Sequence, residues 1–107
     1  MRLFRSNPKG DQISRHHVVG CDDADISTQA EQSLTIIAAV LKEAGTSFEH
    51  VVRTRIYLTD ANDWEAVARV HGKFFSIIRP AATMVVVAAL LNPSWRIEIE
   101  ADAILPE

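Results

Sequence analysis

The apolar positions of this chain change rhythm several times, and each change marks an element. Leu34, Ile37, Val40, Leu41 and Ala44 recur at three- and four-residue spacing, which predicts an amphipathic helix. Asp25, Ser27 and Thr28 are its N-cap candidates, with Thr28 to Glu31 at capping-box spacing, and Gly45 ends it. From Val51 to Thr59 the period shortens to two. Val52, Thr54, Ile56 and Leu58 are expected on one side of a strand, with Arg53, Arg55, Tyr57 and Thr59 on the other. Asp60 to Asp63 turns the chain and caps a second helix, whose apolar stripe is Trp64, Val67, His71, Phe74, Phe75 and Ile78. Pro80 stops that helix, with Arg79 as the restricted residue before it. Two strands follow, Ala82 to Leu91 and Arg96 to Ile104, joined by Asn92-Pro93-Ser94.

The last strand alternates, with Ile97, Ile99, Ala101 and Ala103 opposite Arg96, Glu98, Glu100 and Asp102. The strand before it does not alternate. Met84 and Val86 face away from Val85 and Val87, and all four are apolar. Ahead of the first helix the pattern is weak: Leu3-Phe4 suggests a short strand, Asn7 to Asp11 a turn, and Ile13 to Val19 a second strand. The order is strands, helix, strand, helix, strand, strand, which predicts an α+β fold with two helices on one face of a single sheet. Those helices leave the second face of the 84–87 segment uncovered, so another subunit is expected to cover it.

A chain of 107 residues fits one domain, 1–107, with a modest core. The net charge is −3 and Lys and Arg form no cluster, which argues against nucleic acid as the main partner. Cys21 is the sole cysteine, so neither an intrachain disulfide nor a thiolate zinc site is available, and Asp22 and Asp23 beside it would raise its pKa. The first residues lack the apolar run of a signal peptide, and Val85 to Leu91 is too short to span a bilayer. A cytoplasmic protein with no membrane partner is expected.

Candidate chemistry is sparse. His16 and His17 are adjacent, so a strand sends them to opposite sides, and His50 and His71 have no metal-ligand spacing; no metal site or cofactor is expected. His71 falls in an apolar stripe and is expected to be buried or at an interface, its ring N–H satisfied by a carbonyl. Glu98 and Glu100 share a strand side about 7 Å apart, where a raised carboxyl pKa would permit acid–base work.

Arg79-Pro80-Ala81-Ala82-Thr83-Met84-Val85 resembles the Pro-Ala-Arg-Ser/Thr-x-Val signature of the YjgF/RidA family, also labelled L-PSP endoribonuclease or UK114-like. Val51-Val52-Arg53-Thr54, Tyr57 to Trp64, Phe74-Phe75 and Ile97-Glu98-Ile99-Glu100-Ala101 are similar to other family segments, in family order. The resemblance is clear over residues 28–107 and poor over 1–27, where a shortened N-terminal hairpin would leave part of one cleft wall missing or rebuilt.

The resemblance implies a chorismate-mutase-like fold and a homotrimer with small-molecule clefts between subunits. Active relatives hydrolyse enamines and imines such as 2-aminoacrylate. By the same resemblance an arginine grips the substrate carboxylate, a backbone N–H at Met84 assists, and Glu98 positions water. Ala82 stands at the arginine position, Ala68 at that of an asparagine found in some active members, and His71 at an aromatic one. Glu98 is therefore the candidate catalytic residue, and Ala82, Thr83 and Met84 are candidate ligand-binding positions through backbone donors. Arg79 should point away from Ala82, and Arg96 is better placed for a neighbouring salt bridge. The implied function is small-metabolite binding without strong 2-aminoacrylate deaminase activity. The alternatives are an imine hydrolase for a less acidic substrate and, further off, an endoribonuclease or translation inhibitor.

Overall fold

The computed structural model describes residues 25–105 in full and the backbone of residues 2–5 and 12–15. Among the described residues are five strands and two α-helices: β1 (Arg2–Arg5), β2 (Gln12–Arg15), α1 (Ile26–Glu43), β3 (Val51–Leu58), α2 (Trp64–Phe75), β4 (Ala81–Val86) and β5 (Ile97–Leu105). They form one mixed sheet in the order β2-β1-β5-β3-β4. Antiparallel β1 and β2 make a hairpin of two four-residue strands, and β1 runs parallel to β5. This is the expected α+β arrangement, with both helices over one side. Cys21, His16 and His17 lie outside the described residues.

Helix α1 begins at Asp25, whose carboxylate accepts the Thr28 N–H at 2.8 Å. The cap is therefore Asp25, without the capping box expected from Thr28 and Glu31. The α1 face that buries Leu34, Ile37 and Leu41 packs on the sheet, and Gly45 takes a φ of 82° to end the helix. Buried Gln29 ties α1 to the segment before β5. Its side-chain carbonyl accepts the Arg96 N–H at 3.0 Å, and its amide donates to the Ser94 carbonyl at 3.4 Å.

The sheet's helix side carries Thr54, Ile56 and Leu58 from β3 and Ile97, Ile99, Ala101 and Ala103 from β5, all buried. The alternation of β5 is as expected, but that of β3 fails at its start. Val51 pairs with Ala103 and Arg53 with Asp102, so two steps on β3 oppose one on β5. Val52 is the extra residue of a β-bulge. It is 47% exposed, whereas Val51 is buried.

α2 is also shifted from expectation. Val70 is buried within it, while Trp64, expected in the stripe, is 55% exposed. Arg79 adopts a φ of 53° and donates its N–H to the Phe75 carbonyl at 2.8 Å, closing the helix end in a left-handed conformation. The next strand ends at Val86, well short of the expected Leu91. Beyond Val87, whose N–H still reaches the Leu58 carbonyl at 2.7 Å, Asn92 and Pro93 shape an irregular connection.

The bulge yields a test. Val51→Ala should cost about 1–3 kcal/mol of stability and Val52→Ala less than about 0.5 kcal/mol. Chemical denaturation measures both, and the reverse order would place Val52 in the core.

Candidate functional site

Among the described residues strand β4 lies at the sheet edge and pairs only with β3, in parallel, with Ala82 beside Thr54, Thr83 beside Arg55 and Met84 beside Ile56. Since Thr54 and Ile56 face the helices, so do Ala82 and Met84; Thr83 and Val85 face the other way. Backbone N–H groups of a strand alternate between its two edges. Val87 donates towards β3, so the N–H groups of Val86, Met84 and Ala82 point to the unpaired edge. Ala82 is exposed, and Val85 and Val86 are exposed on opposite sides of the strand.

Glu98 lies between buried Ile97 and Ile99 and pairs with Tyr57, so its side chain leaves the sheet on the side away from the helices. Within one chain the candidate site is thus divided. Ala82 and Met84 are on the helix side, and Glu98 and Thr83 are on the other.

That second side is strongly polar in its middle strands, which the run of valines in β4 did not suggest. Arg55 donates to Asp102 at 3.1 and 3.3 Å and lies 3.6 Å from Glu100, all three groups being mostly buried. The hydrogen bond to Asp102 holds the Arg55 guanidinium even more firmly protonated than usual. Burial first, and then the Glu100 carboxylate beside it, raise the Tyr57 phenol above its ordinary value. Arg53 extends over β4 and donates to the Thr83 hydroxyl at 3.5 Å.

Neither arginine considered as a substitute at Ala82 is available there. The Arg79 side chain folds back to donate to the Ser76 carbonyl at 3.3 Å. Arg96 forms a 2.7 Å ion pair with Asp63, which is 7% exposed and begins α2.

On the helix side the polar group nearest Ala82 in the pairing scheme is Thr54, and its hydroxyl meets His71 Nε2 at 2.9 Å. The His71 ring also lies against Phe75, centroids 4.6 Å apart. The partner of His71 is thus a hydroxyl, not the carbonyl expected from the sequence. Burial lowers its pKa below the ordinary 6.5, which keeps the ring neutral at pH 7. Sequence reasoning placed His71 in a stripe and Thr54 in the strand. Their meeting depends on how α2 lies across β3, which no local pattern encodes. Among the described residues no cluster of acidic, histidine or cysteine side chains could hold a metal ion, and no helix is long and apolar enough to cross a membrane.

The sequence model described as Endoribonuclease L-PSP matches residues 12–105. The chain belongs to this family, also known as YjgF/RidA. It is 40% identical over 79 residues to the human 2-iminobutanoate/2-iminopropanoate deaminase, covering 74% of this chain and 57% of that protein. A crystal structure of a YjgF/YER057c/UK114 family member from Mycobacterium tuberculosis superposes with a TM-score of 0.79 at 43% identity, covering 84% of this chain and 75% of that one. Escherichia coli TdcF with bound serine gives a TM-score of 0.72 at 31% identity, covering 78% and 67%. The chain spans about three fifths of the length of the curated relatives it matches.

His71 supplies a pH prediction with a definite sign. Its folded pKa lies below the unfolded value of 6.5, so below that pH the unfolded chain binds the proton and the folded chain resists it. Its stabilising contribution is complete above pH 6.5 and is lost as pH falls from there through the folded pKa. Thermal melts between pH 7.5 and 5 should show stability declining, and His71→Gln should flatten the decline. An equal slope in the variant would assign it to other groups.

Proposed function

We propose that copies of this chain assemble as a homotrimer and bind a small metabolite in clefts at their seams, without strong activity on 2-aminoacrylate. The observation that carries this reading is Ala82. It is exposed beside the outward N–H of Met84, at the position where the family resemblance calls for the arginine that grips a substrate carboxylate. A methyl group offers that carboxylate nothing, and losing a desolvated charge-assisted contact costs about 2–5 kcal/mol. Two further features support a cleft between copies. The β4 edge is unpaired with exposed valines on both sides. Ala82 and Glu98 leave one sheet on opposite sides, so a cleft presenting both would draw them from two copies. The human relative's name describes an imine deaminase, and TdcF holds serine, a small zwitterion. Both favour a small ligand over nucleic acid.

A second reading, hydrolysis of an uncharged imine, is favoured by the neutral His71–Thr54 pair on the Ala82 side. In it Glu98 directs the attacking water.

Sedimentation at dilute concentration should give the mass of three chains, and a stable, folded single chain would remove the basis for the clefts. Ammonia release separates the two readings. With 2-aminoacrylate the protein should be slow, and Ala82→Arg should raise turnover about 30-fold or more, the equivalent of the lower bound of 2 kcal/mol. With uncharged imines, release above background that falls about 100-fold in Glu98→Gln would support water activation by that carboxylate. Release unchanged by the substitution would exclude that role.

A further inference from the structure

On the Ala82 side of the sheet, one titratable side chain is fixed by a neighbour and still open at its other end. His71 Nε2 is held by the Thr54 hydroxyl at 2.9 Å, and the ring is braced by Phe75. Among the described residues no hydrogen bond reaches Nδ1, and that atom is not one of the buried polar atoms left without a partner. Thr54 itself is fully buried in the central part of the sheet, so its hydroxyl is a fixed anchor for the imidazole. The surroundings are open where bulk would block the ring. Ala68 lies one helical turn before His71 and is exposed, and Ala82 lies beside Thr54 in the next strand, also exposed. The residues shown beside the ring or paired with its partner, Thr54 and Ile56 on β3, Phe75 on α2, and Ala82 and Met84 on β4, are uncharged; α2 also carries Arg69 and Lys73, both exposed, and Lys73 pairs with Glu31 of α1 at 3.2 Å. Arg53, Arg55, Glu98 and Glu100 belong to the opposite side.

We propose that His71 is the proton-transferring group of the Ala82 cleft, with Thr54 as its positioning residue, acting on an uncharged ketimine. This rests on the hydrolytic reading above. In this assignment Nε2–H donates to Thr54 Oγ1, and the Nδ1 lone pair stays available as the proton acceptor. A water oxygen bonds to the imine carbon while one water proton passes to Nδ1 and on to the imine nitrogen, forming a carbinolamine. The hydroxyl proton of the carbinolamine then follows the same route as the C–N bond breaks. Ammonia leaves with the bonding pair, and the carbonyl product remains. The reaction consumes one water and needs no other reactant. A carboxylate-bearing substrate is a poor fit, because Ala82 offers it no cation and the apolar surroundings penalise its charge. A histidine kept neutral at pH 7 is the base suited to such a site.

The experiment follows ammonia release from freshly generated propan-2-imine between pH 5 and 8. The wild-type rate should rise through an inflection below pH 6.5. His71→Asn should lose about 100-fold and the inflection with it. Thr54→Val should lose about tenfold, and Thr54→Ser, which keeps the hydroxyl, should retain the wild-type profile. An active His71→Asn with its inflection intact overturns the assignment of His71 and leaves the hydrolytic reading standing. Wild-type protein that releases no ammonia overturns that reading and the proton relay together. Site-mapped carbethoxylation of the folded assembly by diethyl pyrocarbonate, read by mass spectrometry, is the measurement independent of activity. His71 should be modified, and an unreactive His71 overturns the proposal whatever the kinetics of the variants.

Discussion

Alternate residues of β3 and β5 are buried beneath α1 and α2, and this one constraint decides the side on which every other residue of the sheet emerges. Thr54, Ile56 and Leu58 lie opposite Ala101, Ile99 and Ile97 in an antiparallel ladder whose helix side is closed. A slip of one residue would carry the entire apolar row into solvent, so the register is firmly specified. Strand β4 inherits that register through β3. The sides taken by Ala82, Thr83 and Met84 are thus set by residues in other strands, and the divided site is a consequence of core packing. The bulge at Val52 shows the same constraint from the other end. The ladder absorbs one surplus residue so that Val51 keeps its place in the core.

The side away from the helices obeys different physics. Arg55 is shared between Glu100 and Asp102, and Tyr57 lies beside them. Partly buried charges are stable only when paired, because each loses hydration. A neighbouring subunit laid over this side would deepen that burial, so the pairing of Arg55 with two carboxylates is a precondition for covering it. Apolar exposure on this side comes from Val85 of β4 and Ile104 of β5, both at the margins of the polar patch. An exposed apolar edge strand invites association, and here the polar middle of the sheet limits which association is tolerated.

Much of this was legible along the chain. The two helices and strands β3 and β5 follow largely from period, because each buries one face against a single partner layer, whereas β4 was marked only by its apolar run and ends at Val86, short of the expected Leu91. The turn at Gly45 follows from its backbone freedom. What local pattern cannot carry is any feature fixed by a distant residue. Val52 reads as a core residue until its pairing with β5 is known, and Trp64 fits a helical stripe although the fold leaves it exposed. The chain from Ala88 to Leu91 is apolar enough for a strand, yet the pairing with β3 ends near Leu58 and leaves it no partner. Gln29 gave no signal at all, since a buried glutamine is recognisable only by the backbone groups of Ser94 and Arg96 that it satisfies. The candidate site divides in the same way. The identities of Ala82 and Glu98 were visible through a family signature, but their opposite sides required the register.

The exchange of a cation for a methyl group at Ala82 changes what the surrounding groups are suited to do. An arginine at that position would dominate the local field, attract anions and suppress protonation of any nearby histidine. Without it, the apolar surroundings of His71 are the main influence on that ring, and they favour its neutral form. Thr54 can hold one ring nitrogen without adding charge. Arg79 and Arg96, the two arginines weighed as substitutes, are drawn off by the Ser76 carbonyl and the Asp63 carboxylate. The residues nearest Ala82 on the helix side are therefore uncharged, whereas the middle strands are ionic on the opposite side. A ligand that enters between copies would meet the first surface from one chain and the second from another. The selectivity of such a cleft then depends on the geometry of association as much as on any single side chain, because separating the copies separates the neutral wall from the carboxylate of Glu98.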